Sequence, residues 1–251
     1  MLDLSFTSPD ASIWRYVVSS AGKFVEVGLM ILRPEELIIK AMDPSRTALI
    51  EFIMPKESFE EYNVSEERTI QLNFEELGKV LRSAEKDDRL TVELEAATIK
   101  IGFERRGIVR TFTLPLHTEA GLEEIPELNI EYANMFKVRG EIFYDALSSI
   151  EDMGDVLKIG GDKNVLKLSS VSDLGEAEVE LSLEKGVLEE AEVGNPGFTS
   201  SYTMEFFTYV KRPIKAAEYV ILRVDTDLPA FLELTYPQGS KLKYYVAPRT
   251  E

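Results

Sequence analysis

Apolar residues recur mainly at every second position along this chain. Segments 37–39, 48–53, 69–72, 90–94 and 98–103 are rich in Leu, Ile, Val, Thr and Phe, and many alternate apolar with polar residues. Such a period of two predicts half-buried antiparallel strands. The second half of the chain repeats the style at 157–159, 165–168, 177–181, 219–224, 231–234 and 242–246.

Four segments carry a helical period instead. The first follows Ser8-Pro9, read as N-cap and first helical position, and places Ile13, Trp14, Val17, Val18 and Ala21 on one face. The second follows Asn73, with Phe74, Leu77, Val80, Leu81 and Ala84 together. A third spans 141–152 and buries Phe143, Ala146, Leu147 and Ile150; a fourth follows Thr203, with Phe206, Phe207 and Val210. Helices one and three, and two and four, are about 130 residues apart, and strand 110–116 corresponds to strand 242–248. The pattern is an α+β unit written twice: domain 1–117, an acidic aperiodic connector at 118–129, and domain 130–251.

Composition narrows the chemistry. No window approaches the roughly 18 apolar residues of a membrane span, and the N-terminus lacks the basic flank of a signal peptide, so a cytoplasmic, membrane-free protein is expected. There is no cysteine, which removes thiolate metal sites and cysteine nucleophiles, and the single histidine, His117, reads as a surface residue beside Pro115. No metal site, cofactor or catalytic residue is expected. The formal charge of −17 argues against wholesale attraction to nucleic acid, so any phosphate contact needs a local basic footprint.

Ala41-Met42-Asp43-Pro44-Ser45-Arg46 after a strand, Leu114-Pro115-Leu116 before the connector, Ile125-Pro126-Glu127 within it and the ending Tyr245-Val246-Ala247-Pro248-Arg249 together resemble the archaeal and eukaryotic DNA sliding clamps of the proliferating cell nuclear antigen family. The resemblance runs over the whole chain. It implies the duplicated DNA-clamp fold, with outer antiparallel sheets and two inner helices per domain. It also implies a non-enzymatic processivity factor whose three subunits close into a ring around double-stranded DNA, near the nucleoid. The implied partners are sister clamp subunits in a homo- or heterotrimer, a DNA polymerase, a flap endonuclease, a DNA ligase and a clamp loader.

If the helices line a hole, each should be apolar toward the sheets and polar or basic on its far side. In helix two, Lys79, Arg82 and Lys86 cluster within about 60° of one another, nearly opposite the apolar face. In helix one, Arg15 and Lys23 share the face opposite Trp14 and Val17. Helix four offers Lys211, Arg212 and Lys215, with Pro213 disturbing the geometry after Arg212. These eight are the candidate phosphate contacts, sequence-neutral and salt-sensitive. Helix three departs from the pattern: Glu141, Asp145, Ser148 and Asp152 lie opposite its apolar face and are expected to repel phosphate.

The resemblance further implies a partner-peptide pocket formed by Met42, Leu49, Leu122, Ile125, Pro126, Pro229, Tyr245, Ala247 and Pro248, with Arg46 and Thr47 at its border. It places the subunit interface on strand 110–116, through Arg110, Thr111, Phe112 and Thr113, and on strand 176–181, through Ala177, Val179 and Leu181. A β-rich hydrolase using two carboxylates, or a clamp-like scaffold that does not encircle DNA, are the alternatives. No GxxxxGK phosphate loop occurs, Gly160-Gly161-Asp162 reads as a hairpin turn, and Asp225-Thr226-Asp227 is too short for a calcium loop.

Overall fold

In the computed structural model, residues 4–85, 87–116, 125–173 and 175–249 are described. They form two compact units. One comprises Met1–Asp43, Ile50–Pro126 and Gln238–Lys241; the other comprises Pro44–Leu49, Glu127–Pro237 and Leu242–Glu251.

The first unit contains β1 (Leu4–Ser8), α1 (Ala11–Ala21), β2 (Val27–Leu32), β3 (Glu36–Met42), most of β4 (Ala48–Pro55), β5 (Glu61–Asn63), β6 (Arg68–Asn73), α2 (Phe74–Leu81), β7 (Arg89–Leu94), β8 (Thr98–Arg105) and β9 (Ile108–Pro115). Its strands lie in the orders β5-β1-β7-β8-β9 and β6-β2-β3-β4. The second contains β10 (Asn134–Arg139), α3 (Gly140–Ile150), β11 (Val156–Gly161), β12 (Val165–Ser172), β13 (Gly175–Ser182), β14 (Leu188–Val193), β15 (Thr199–Thr203), α4 (Met204–Tyr209), α5 (Lys211–Ala216), β16 (Tyr219–Arg223), β17 (Ala230–Thr235) and β18 (Lys241–Val246). Its orders are β14-β10-β16-β17-β18 and β15-β11-β12-β13.

Strand for strand the two orders are the same, with α1 answered by α3 and α2 by the α4–α5 pair. Gly140 begins α3 about 130 residues after Ala11 begins α1, and Met204 begins α4 at the same interval after Phe74. The expected duplicated α+β unit is the observed one.

Each unit buries a helix pair on its sheets. Trp14 of α1 stacks on Phe6 of β1 at 5.4 Å, and α1 packs on α2, whose Phe74, Leu77, Val80 and Leu81 are buried. In the second unit α3 packs on α5 and touches β10 and β16 of one sheet and β12 and β13 of the other, so a single helix ties the two sheets together. The phenols of Tyr236 and Tyr244 anchor the neighbouring helices by donating to the carbonyls of Pro213 (3.0 Å) and Phe206 (3.0 Å).

Three local expectations are corrected. The cap of α1 is Asp10, whose carboxylate accepts the Ser12 amide at 2.7 Å; Ser8 ends β1 instead and donates its hydroxyl to the Asp10 carbonyl. The fourth helix is two short ones, broken at Val210 (φ −100°, ψ 12°). Pro213 lacks the N–H that would bond back to Tyr209, and its ring would collide with that carbonyl, so the helix restarts at Lys211. In the β11–β12 hairpin Gly160 and Gly161 belong to the strand and the turn begins at Asp162, which accepts the Asn164 and Val165 amides at 2.9 and 3.2 Å.

Gly140 sets how closely α3 approaches α5. A Cβ there would stand 2.3 Å from the Ala217 carbonyl oxygen and 2.4 Å from that of Ile214, both backbone atoms with no room to retreat. Gly140→Ala is expected to destabilise the protein by about 1–3 kcal/mol in denaturant titration, against a gain of up to about 1 kcal/mol for the same change at an exposed helical site.

Candidate functional site

The helix pairs are where the candidate phosphate contacts lie. In the first unit the inward residues of α1 turn Arg15 to a half-buried position. Its guanidinium donates to the Ala84 carbonyl at 2.8 Å and sits 5.3 Å from the Tyr16 ring, so it braces the end of α2. Lys23 is exposed just beyond the Gly22 cap. Asn73 caps α2 by accepting the Glu76 amide at 3.0 Å, and Lys79 and Arg82 emerge exposed at the helix end. Cations there complement the helix dipole. Lys79, however, pairs with Glu75 one turn back at 2.7 Å. The hydrogen bond from Lys79, then its charge and that of Arg82, hold the Glu75 carboxyl below its usual value. The helix stops at Leu81, so the angular projection that grouped Lys86 with Lys79 and Arg82 runs past its end; Lys86 lies outside the described residues.

In the second unit Lys211 forms an ion pair with Glu151 and stands 4.9 Å from the Tyr144 ring, while Lys215 lies 4.6 Å from the same ring. Arg212 is exposed, and no carboxylate among the described residues pairs with it. Glu141, Asp145 and Asp152 are exposed on and after α3, whereas Ser148 is half-buried. Of the eight candidate cations, three are therefore already engaged by Ala84, Glu75 and Glu151. Arg82, Arg212 and Lys215 are exposed and form no carboxylate ion pair among the described residues.

The candidate peptide pocket divides between the units. Met42, Ile125 and Pro126 belong to the first; Leu122 and His117 lie outside the described residues. In the second unit the ending of the chain is pinned at two amides: Ala247 donates to the Thr47 carbonyl and Arg249 to the Ser201 carbonyl, each at 2.7 Å, with Pro248 between them lacking a donor. Arg46 adopts φ 60°, a left-handed turn that brings Thr47 round to that bond. Leu49 is buried, and Pro229 and Tyr245 are half-exposed.

Around Tyr245 stands an aromatic row that the sequence reading did not single out. Phe231 lies 4.6 Å from Tyr245 and 6.3 Å from Tyr132, and the Arg223 guanidinium is 5.5 Å from the Phe231 ring. The Tyr132 hydroxyl donates to the Pro229 carbonyl at 2.9 Å, and Tyr202 donates to Leu228 at 2.8 Å. Tyr132, Pro229 and Tyr245 are half-exposed around the buried Phe231, an aromatic surface suited to aromatic and aliphatic anchors of a short peptide. Its sequence signal is slight: Phe231 and Tyr245 sit at strand positions and Tyr132 just before β10.

The candidate interface strands are both sheet edges. β9 closes the sheet of the first unit with one side paired to β8, and β13 ends a sheet of the second, paired to β12 from Val165↔Ser182 to Ser172↔Gly175. On β9, Arg110 turns back into its own unit, where it donates to the Ser83 carbonyl at 2.6 Å and forms an ion pair with the fully buried Asp88. Thr111 and Thr113 are exposed and Phe112 half-buried; on β13, Ala177 and Val179 are half-buried and Leu181 buried.

The family profile described as proliferating cell nuclear antigen, N-terminal domain, matches residues 1–114, and that of repair protein Rad1/Rec1/Rad17 matches 122–227. DNA polymerase sliding clamp 3 of Aeropyrum pernix is 30% identical over the full length of both chains, and DNA polymerase sliding clamp 1 of Pyrobaculum aerophilum is 31% identical over 96% of each. The crystal structure of a PCNA2–PCNA3 complex from Sulfolobus tokodaii aligns with a TM-score of 0.90 at 30% identity, covering 98% of this chain and 100% of that one. PCNA from Thermococcus kodakaraensis, at 21% identity and a TM-score of 0.88, shares the fold.

Tyr132 and Tyr202 are expected to mark the integrity of the second unit at high pH. Burial pushes the Tyr202 phenol up to about 12 and that of Tyr132 higher still, above the ordinary value of 10.0. The folded chain thus holds protons that the unfolded chain releases near pH 10, so the stability they contribute is complete below pH 10 and is lost as pH rises toward 12. Phenolate absorbance is expected to lag the ordinary tyrosine titration and to rise together with loss of circular dichroism. Titration of all tyrosines near pH 10 with the fold intact would contradict this.

Proposed function

The chain belongs to the proliferating cell nuclear antigen family of DNA polymerase sliding clamps, and from that premise we propose that it is one subunit of a trimeric ring that encircles duplex DNA and tethers replication and repair enzymes. The observation that carries the reading is the repeated unit itself: two copies of one strand order, each with a helix pair and exposed cations at the helix ends. Residues 1–117 and 130–251 act as the two clamp domains, joined by the connector 118–129. The chain does no chemistry of its own; it holds catalysts on their template.

Phosphate contacts come from Lys23, Lys79, Arg82, Arg212 and Lys215, with Arg15 and Lys211 shaping the surface behind them. A handful of exposed cations beside exposed carboxylates makes for loose binding without base readout, which is what sliding requires. The α3 carboxylates set a sector where phosphate is repelled. Tyr245, Pro229, Ala247 and Pro248, with Met42, Ile125 and Pro126, take short peptides from a polymerase, a flap endonuclease or a ligase, and a clamp loader opens the ring. β9 and β13 pair with sister chains. Cytoplasmic, nucleoid-associated action follows from this role, and no helix among the described residues is long and apolar enough to cross a membrane.

Two double variants separate the surfaces. Arg82→Ala with Arg212→Ala is expected to weaken retention on DNA and to reduce the slope of log affinity against log salt by about 0.9 per lost contact, leaving peptide binding unchanged. Tyr245→Ala with Ile125→Ala is expected to cost roughly 1–3 kcal/mol in peptide binding while DNA retention stays intact. Equal losses in both assays for both variants would refute the division of labour.

A further inference from the structure

The two edge strands of this chain do not complement one another. On β13 the side chains alternate: Ala177, Val179 and Leu181 turn toward the body of the unit, and Glu176, Glu178 and Glu180 are exposed on the other face. Lys167 on β12 is the one cation paired to this row among the described residues, 2.6 Å from Glu180 and 3.6 Å from Glu178. On β9 the corresponding outward positions are Val109, Thr111 and Thr113, all uncharged and exposed. The basic residues near that edge are committed: Arg110 to Asp88 and Ser83, Arg105 to Glu85 and Asp88, and Lys100 to Glu95. Arg106, at the hairpin tip, is exposed and pairs with no carboxylate among the described residues.

Unburied apolar side chains also gather at these two edges. Ile108 and Val109 are 66% and 64% exposed on β9, and Val171 and Leu183 flank β13 at 39% and 36%. Exposed apolar area beside an open strand edge is where another strand is expected to add. Strand addition sets outward side chains beside outward side chains, so a β9 like this chain's own would face three carboxylates with valine and threonine.

We propose that the β13 edge selects a sister clamp chain whose added strand carries lysine or arginine at alternate outward positions, and that it discriminates against a second copy of this chain. The inference rests on the reading of β9 and β13 as subunit interfaces and adds the chemistry of the neighbour. Glu176, Glu178 and Glu180 act as specificity determinants: a basic strand neutralises the negative charge that Lys167 leaves uncompensated, and a neutral one leaves that surplus charge unanswered.

The test supplies the missing cations on the chain itself. Thr111→Lys with Thr113→Lys converts the chain's own β9 into the partner proposed for its β13, at exposed edge positions where lysine is readily accommodated. Sedimentation equilibrium of the full chain is expected to show self-association roughly tenfold tighter than for the natural chain, since each opposite-charge cross-strand pair adds a fraction of a factor of ten. The gain is expected to vanish in high salt and on adding Glu178→Lys with Glu180→Lys. Thr113→Lys alone, with a smaller gain, serves if circular dichroism shows the double variant unfolded. A natural chain that already closes tightly on itself, through β9 and β13 as seen by amide hydrogen exchange, would overturn the selector while leaving the interface intact. No gain from the lysines, with exchange at both strands unchanged in every associated form, would remove the selector and the interface reading together.

Discussion

The contact on which this molecule depends is the seating of a helix pair against sheets that have only one apolar face. A sheet whose other side meets water must bury its inner face under something, and here α1 with α2, and α3 with α5, supply it. The second unit shows the constraint most sharply. α3 touches strands of both sheets, and Gly140 lets it approach the backbone at Ile214 and Ala217 more closely than any side chain would allow. Once those helices are committed inward on one side, their far sides and the sheet edges are what remain to meet partners.

Those far sides are less basic than a count of lysines and arginines implies. Lys79 answers Glu75, Lys211 answers Glu151 and Arg15 is spent on the Ala84 carbonyl. A surface left with a few exposed cations beside Glu141, Asp145 and Asp152 attracts a polyanion weakly and without register. Weak, nonspecific attraction suffices when enclosure rather than affinity keeps the protein on DNA.

Much of the fold was legible because the strands that alternate cleanly, such as β4, β7, β8, β12 and β18, each bury one face. Among the strands the sequence pattern did not single out, β5 is three residues long with none buried and β14, Leu-Glu-Glu-Ala-Glu-Val, buries only Leu188, whereas β2, Val-Gly-Leu-Met-Ile-Leu, alternates in burial but is apolar on both faces. Local competition hid the rest. Ser8 and Asp10 both have capping side chains, and only the chain path decides that Asp10 takes the role. Within the site, the Glu75–Lys79 pair was readable from its spacing of one helical turn, whereas Lys211–Glu151 and the Tyr132–Phe231–Tyr245 row join residues far apart in sequence. The same holds for Asp88, which no motif marks, yet which is fully buried and fastens the edge strand through Arg110.

In the proposed role the chain, closed with its sister subunits, surrounds DNA instead of gripping it. Loading the assembled complex from its native cells onto nicked circular duplex, then cutting the circle once, tests this most directly. Retention on the circle in moderate salt, followed by loss when the DNA is made linear, is the predicted result. Equal retention on circular and linear DNA, or none on either, would contradict it.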